Sequence, residues 1–161
     1  MLYTALWHCS DDDAWVTQHT TDLALNPYKA THINHPTSKW VRSDVHNFNY
    51  TLDLALELCY EYTRRYGKIH KCQCRLEWLR DHPPITFTVQ DMANKHCATQ
   101  NIPVGCTPVP LAMPEQFYSD DLLYSYRLYY IVEKSRLCTS KDTFNVQGRI
   151  DEWDLRSDIK I

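Results

Sequence analysis

The first stretch whose residue types suit chemistry is Thr31-His32-Ile33-Asn34-His35-Pro36, followed by Lys39, Trp40, Arg42 and His46. It reads as a polar loop entering a helix, with Thr37 or Ser38 placed to cap it. Unpaired N–H groups at such a helix start favour an anion, and Lys39 and Arg42 stand ready to add charge. Packing of His35 and Trp40 against the core is the commoner role for such residues and weighs against a phosphate contact.

A second stretch, Glu61 to Lys71, sets Arg64, Arg65, Lys68 and Lys71 among Tyr62, Tyr66 and His70. Arginine suits bidentate phosphate contacts and tyrosine suits base stacking. The competing view is a cationic helix end with Glu61 paired to Arg65 at i, i+4. A third stretch is Tyr126-Arg127-Leu128-Tyr129-Tyr130 with Lys134. Tyr126, Tyr130 and Lys134 fall on one face at helical spacing, with Arg127 beside them. An aromatic stripe of this kind is usually core, but an arginine within it must reach an anion or solvent.

Metal ligation has the right residue types and the wrong spacing. Cys72-x-Cys74, His32-x-x-His35 and His96-Cys97 do not form the paired knuckles of structural zinc sites, so no metal and no cofactor is expected. No Walker loop, dinucleotide-binding glycine motif, Gly-x-Ser-x-Gly elbow or His-Glu-x-x-His is found.

The elements that must position these residues are mostly helices. Val45, Phe48, Leu52, Ala55, Cys59, Tyr62 and Tyr66 recur at steps of three and four, which predicts a long central helix over about 40–66. Leu54 and Leu58 widen its stripe, so it is expected to touch neighbours on two sides. Gly67 suits a left-handed C-terminal position, with Arg64 and Arg65 in the last turn. A second long helix is expected from about Ser119 to Leu137, a shorter one over Gln73–Asp81, stopped by His82-Pro83-Pro84, and another from Thr88 to about Cys97. Leu2–Trp7 reads as the end of a helix and Asp13–Leu25 as a weak one. Four prolines between Ile102 and Pro114 predict an extended ordered loop. The fold class expected is all-α, one compact helical bundle spanning residues 1–161, with poorly defined flanks at 1–27 and 140–161 and Trp153 as an anchor in the second.

With 161 residues, 43% hydrophobic and 23% charged, the chain is long enough to bury a core. A net charge of −3 argues against coating nucleic acid through bulk electrostatics, so any phosphate contact must be local. No apolar run approaches a membrane span and no signal peptide opens the chain. The seven cysteines are then expected to be reduced thiols in a cytoplasm.

The tracts Tyr28 to Pro36, Glu61 to Lys71, Thr107-Pro108 with Ala112-Met113-Pro114, and Tyr126-Arg127-x-Tyr129-Tyr130 with Lys134 resemble a bacteriophage and marine-virus family of helical proteins. The resemblance covers about residues 28–137. That family is distantly similar to phage-type pyrimidine-dimer DNA glycosylases, through the Asn34-His35-Pro36 turn, Trp40 and the long helix that follows. Family members carry a further N-terminal segment, and Met1 to Thr4 is expected to be the end of its last helix. The glycosylases use an N-terminal threonine amine and an assisting glutamate. No threonine follows Met1 here, Thr4 being the nearest, so the nucleophile does not carry over.

Three readings follow. One is a DNA glycosylase-like protein that grips phosphates with Arg42, Arg64, Arg65, Lys68 and Lys71, wedges with Trp40, Tyr62 or Tyr66, and uses Glu61 as its carboxylate. Another is a non-catalytic binder of a nucleotide or signalling molecule, as a counter-defence protein, in a small closed pocket of His32, Trp40, Tyr126 and Arg127. The last is an interaction protein, a homo-oligomer completed at its N-terminal surface by a partner or another copy.

Overall fold

The computed structural model describes residues 1–10, 16–17, 27–84, 86–87 and 96–134, and they are mostly helical. Helix α1 is Leu2–Cys9, α2 is Pro36–Val41, α3 is Val45–Tyr66, α4 is Gln73–Asp81 and α5 is Leu122–Tyr129. Strands β1, Cys97–Ala98, and β2, Val109–Pro110, pair antiparallel with Cys97 opposite Pro110. A 3-10 turn covers Glu115–Phe117, and a π-helical turn, Tyr130–Lys134, continues α5.

The helix expected over 40–66 is two helices. The apolar periodicity runs through the break, but Ser43 and Asp44 compete for the backbone, as these residues do near helix starts. The Trp40 carbonyl accepts from Ser43 Oγ at 2.8 Å and from Asn47 Nδ2 at 2.9 Å. Asp44 then caps α3, its Oδ1 accepting the His46 N–H at 2.7 Å. At the far end Gly67 takes φ 63° and its N–H meets the Thr63 carbonyl, as the glycine implied.

The buried stripe of α3 is Phe48, Leu52, Leu56 and Cys59. Leu54 and Leu58, expected to make it two-sided, are 48% and 63% exposed. They lie on the outer face, so α3 has neighbours on its inner side. Those are α1, α2 and α4, which share with it a core of Leu6, Val16, Val41, Phe48, Leu56 and Leu79, all fully buried. Helix α4 spans the residues its flanking prolines demanded, and Trp78 stacks on His82 with 4.5 Å between ring centroids.

Helix α1 is stitched to the loop before α2. Thr4 Oγ1 donates to the Thr31 carbonyl at 2.9 Å and accepts the Thr31 N–H at 3.1 Å, while Trp7 Nε1 donates to the Tyr28 carbonyl. Thr4 is buried, so its role is structural. The open carbonyl of Cys9 is met by the N–H and hydroxyl of Thr86.

The proline-rich segment is ordered, but it contains β2 and so belongs to a small sheet that an all-α reading omitted. A second core forms under it from Ala98, Leu111, Met113 and Phe117, with Tyr126 and Tyr129 packed alongside. Leu122 packs against both cores. The last helix begins at Leu122 rather than Ser119 and changes form at Tyr130, and the expected span beyond Lys134 lies outside the described residues. A π turn advances the face by about five residues, so Lys134 Nζ lies over the ring of Tyr129, 5.2 Å from its centroid, rather than joining Tyr130.

Of the weak helix at Asp13–Leu25, only Val16 and Thr17 are described, and both are helical. The expected Thr88–Cys97 helix lies outside the described residues except at its end, where Cys97 is in β1. Leu137 and Trp153 lie outside them too. No described helix is long and apolar enough to cross a membrane.

Candidate binding cleft at the start of α2

Pro36 forces the residue before it into extended backbone and is well placed at the first position of a helix. His35 accordingly sits at φ −63°, ψ 134° and caps α2, its Nδ1 accepting the Thr37 N–H at 3.3 Å. The cap is therefore His35, not Thr37 or Ser38. Ser38 is fully buried and its hydroxyl has no partner among the described residues. Because Nδ1 accepts, the ring proton of His35 lies on Nε2, which is left as a donor. The same bond satisfies an N–H that an anion would otherwise take, so α2 start offers less to a phosphate than its sequence suggested. His32 takes φ 53°, a left-handed conformation uncommon outside glycine. Its carbonyl accepts the His35 N–H at 3.0 Å and closes the turn.

A cleft of about 640 Å³ opens beside His35, against the second core. Its other walls are Pro36, His96, Leu111, Ala112, Met113, Glu115 and Tyr118. The sheet brings these together, since the Leu111 N–H bonds the His96 carbonyl at 2.9 Å and extends the β1–β2 ladder. The 3-10 turn then folds Tyr118 onto His96. Their rings lie 5.1 Å apart, 21° from parallel. Two imidazoles, a carboxylate and a phenol thus share a cleft with apolar Leu111 and Met113. Such a wall suits a flat ligand with hydrogen-bonding edges.

A polar knot centred on Asn47 joins the α2–α3 corner to Thr107. Asn47 is fully buried; its Nδ2 donates to Thr107 Oγ1 at 2.8 Å and its Oδ1 accepts the Thr107 N–H at 3.0 Å. Trp40 Nε1 donates to the Thr107 carbonyl at 3.1 Å. The α2–α3 corner is thereby tied to the strand-bearing segment that carries Leu111 to Met113.

The sequence-expected site residues are scattered. Trp40 is 4% exposed and Arg42 5% exposed, so neither is a surface wedge or a phosphate clamp. Arg42 donates from NH1 to the Ile33 carbonyl at 2.7 Å, fastening the loop, and burial lowers its pKa. Lys39 shares a face of α2 with His35, to whose carbonyl its N–H bonds at 3.0 Å. His32 is exposed.

Glu61, Arg64 and Arg65 form one exposed cluster. Arg64 meets both carboxylate oxygens of Glu61 at 2.6 and 2.7 Å, and Arg65 Nε meets one of them. Hydrogen bonds from Arg64 and Arg65 hold the Glu61 carboxyl below its ordinary value. A carboxylate so engaged is a poor proton donor. Lys68 and Lys71 are exposed beyond Gly67. Tyr62 packs on Tyr66 and His70.

Tyr126 is half-buried against the second core, and burial raises its pKa. Arg127 is half-buried on α5, and Lys134 covers Tyr129. Trp40 belongs to the first core and Tyr126 packs against the second, while the cleft is lined by His35, His96, Glu115 and Tyr118.

Cys72 and Cys74 are turned to different partners. Cys72 Sγ lies 3.3 Å from the Tyr28 hydroxyl, and Cys74 Sγ donates weakly to the Lys71 carbonyl. Among the described residues no three His, Cys, Asp or Glu side chains converge as a metal site would need.

Sequence reasoning passed over Glu115 and Tyr118 and weighed His96 only as a metal ligand. The signal available was faint: His96 and Tyr118 are far apart in sequence and meet through strands of two residues each. Comparison with known protein families, curated proteins and solved structures finds no match.

Proposed function

We propose that the chain is a non-catalytic nucleotide-binding protein whose cleft at the start of α2 receives the base. The observation that carries this reading is the His96–Tyr118 ring pair facing the same space as His35 and Glu115. A nucleobase presents a flat face for the rings and an edge of donors and acceptors for Nε2–H of His35 and the carboxylate of Glu115. Among the described residues the cleft wall contains neither lysine nor arginine, and the phosphates are assigned outside it, toward Lys39 and the exposed His32.

A thermal-shift screen against nucleosides and mononucleotides at low salt tests this directly. Ligand at about 100 times its Kd stabilises a folded protein by about 2.7 kcal/mol, a readily measured rise in Tm. Stabilisation by one base type without turnover supports the reading. A flat profile across all the bases contradicts it.

The glycosylase-like alternative draws on the resemblance to phage proteins and on exposed Lys68 and Lys71. It is weakened at its carboxylate, since Glu61 is held by two arginines. Damage-dependent cleavage of duplex DNA, lost in a Glu61→Gln variant, is its test.

A further inference from the structure

The cleft beside His35 holds a carboxylate whose acceptor atoms are unengaged. Glu115 opens the 3-10 turn, and the Tyr118 N–H bonds its carbonyl at 2.9 Å. Side chains three apart in such a turn eclipse, so Glu115 and Tyr118 line the cleft side by side. The Tyr118 ring is stacked on His96. Glu115 is exposed, and its carboxylate makes no hydrogen bond or ion pair among the described residues. Glu61 differs, since Arg64 and Arg65 already occupy its oxygens.

The donor supplied by α2 is fixed in kind. Nδ1 of His35 accepts the Thr37 N–H at 3.3 Å, so the neutral ring presents Nε2–H to a ligand and no acceptor. Both oxygens of a carboxylate accept and neither donates. A base lying flat on the Tyr118–His96 pair thus meets a two-oxygen acceptor from Glu115 and a donor from His35. Guanine is the common base whose pairing edge carries adjacent donors, N1–H and the N2 amino group, beside an O6 acceptor. Adenine and cytosine offer one amino group next to a ring-nitrogen lone pair, which the second carboxylate oxygen repels. Uracil and thymine offer one N–H between two carbonyls, both of which it repels.

We infer that the cleft selects guanine, with Glu115 accepting from N1–H and the N2 amino group together and His35 Nε2–H donating to O6 or N7. This rests on the base-binding reading of the cleft and adds to it the identity of the base. The ring pair accepts the face of any base, so Glu115 is the residue that discriminates.

Calorimetric titration of the full chain with the ribonucleoside 5′-monophosphates at low salt tests this, the phosphate being common to all. The guanine nucleotide is expected to bind at least about tenfold tighter than those of adenine, cytosine and uracil. The hypoxanthine nucleotide, which lacks the N2 amino group, is expected to fall between. Glu115→Gln, at an exposed position, is expected to keep the wild-type Tm and to lose at least about tenfold in affinity for the guanine nucleotide. The same variant gains affinity for the xanthine nucleotide, whose N1–H meets the glutamine carbonyl and whose O2 accepts from its amide. Equal binding of guanine and adenine nucleotides, weakened alike by Tyr118→Ala, overturns the inference and leaves base binding in place. A guanine preference that survives Glu115→Gln also overturns it. Absence of binding by every nucleotide overturns both.

Discussion

The start of α2 and the end of α3 both carry cations, histidines and aromatics, yet the fold uses them in opposite ways. At the end of α3 the charges answer one another: Glu61 takes Arg64 and Arg65 within the same helix. At the start of α2 the strongest cation, Arg42, is withdrawn to hold the loop at Ile33, and the groups left facing open space are His35, His96, Glu115 and Tyr118. The richer basic tract is the more self-contained one. Formal charge in a sequence is therefore a poor guide to charge that is available to a ligand, because helical i, i+3 and i, i+4 spacing pairs it first.

The comparison breaks most severely at Asn47, which ties the α2–α3 corner to Thr107. Asn47→Leu is expected to cost about 1–3 kcal/mol, because it removes a fully buried amide bonded to the Trp40 carbonyl and to Thr107. Chemical denaturation measures that loss, and a change under about 0.5 kcal/mol denies the corner its structural role. Tyr118→Ala comes next: loss of the stacked ring is expected to weaken nucleotide binding by about 1–3 kcal/mol, read by calorimetry. Lys68→Ala, by contrast, is expected to change nucleotide affinity less than twofold, since a charge outside the cleft contributes little to a screened contact. A larger loss there would move the site to the end of α3.

Two pH effects sharpen the contrast at smaller amplitude. The Glu61 carboxyl is depressed by Arg64 and Arg65, so its contribution to stability is present above the unfolded carboxylate value and lost as pH falls through the folded one. Glu61→Gln is expected to flatten the acid limb of the stability profile. Tyr3 lies at the other extreme, with burial pushing its pKa from 10.0 to about 12. The unfolded chain ionises first, so stability falls as pH rises from 10.0 toward about 12. Tyr3→Phe is expected to shallow that alkaline limb, followed by circular dichroism across the window.

Much of the helical frame is legible in the residues. Pro83-Pro84 and Gly67 end α4 and α3 where proline sterics and left-handed backbone require, and Phe48, Leu52 and Cys59 mark the inner face of α3 by period alone. Two things escape that reasoning. Ser43 and Asp44 break an unbroken apolar rhythm through side-chain bonds to the backbone, which periodicity does not see. The cleft escapes because His96 and Tyr118 meet only after β1 pairs with β2 and the 3-10 turn closes. Leu58 shows the reverse error, an apolar residue at helical spacing that faces outward. Burial of one face leaves the opposite side open to any residue type.

The most direct test is a calorimetric titration, under identical low-salt conditions, of the nucleotide that stabilises the wild type best. It compares wild type with Tyr118→Ala and with an Arg64→Ala, Arg65→Ala, Lys68→Ala triple variant. The account predicts that the triple variant binds like wild type and that Tyr118→Ala loses roughly tenfold or more in affinity. Binding that survives Tyr118→Ala and fails in the triple variant contradicts it and places the ligand at the end of α3.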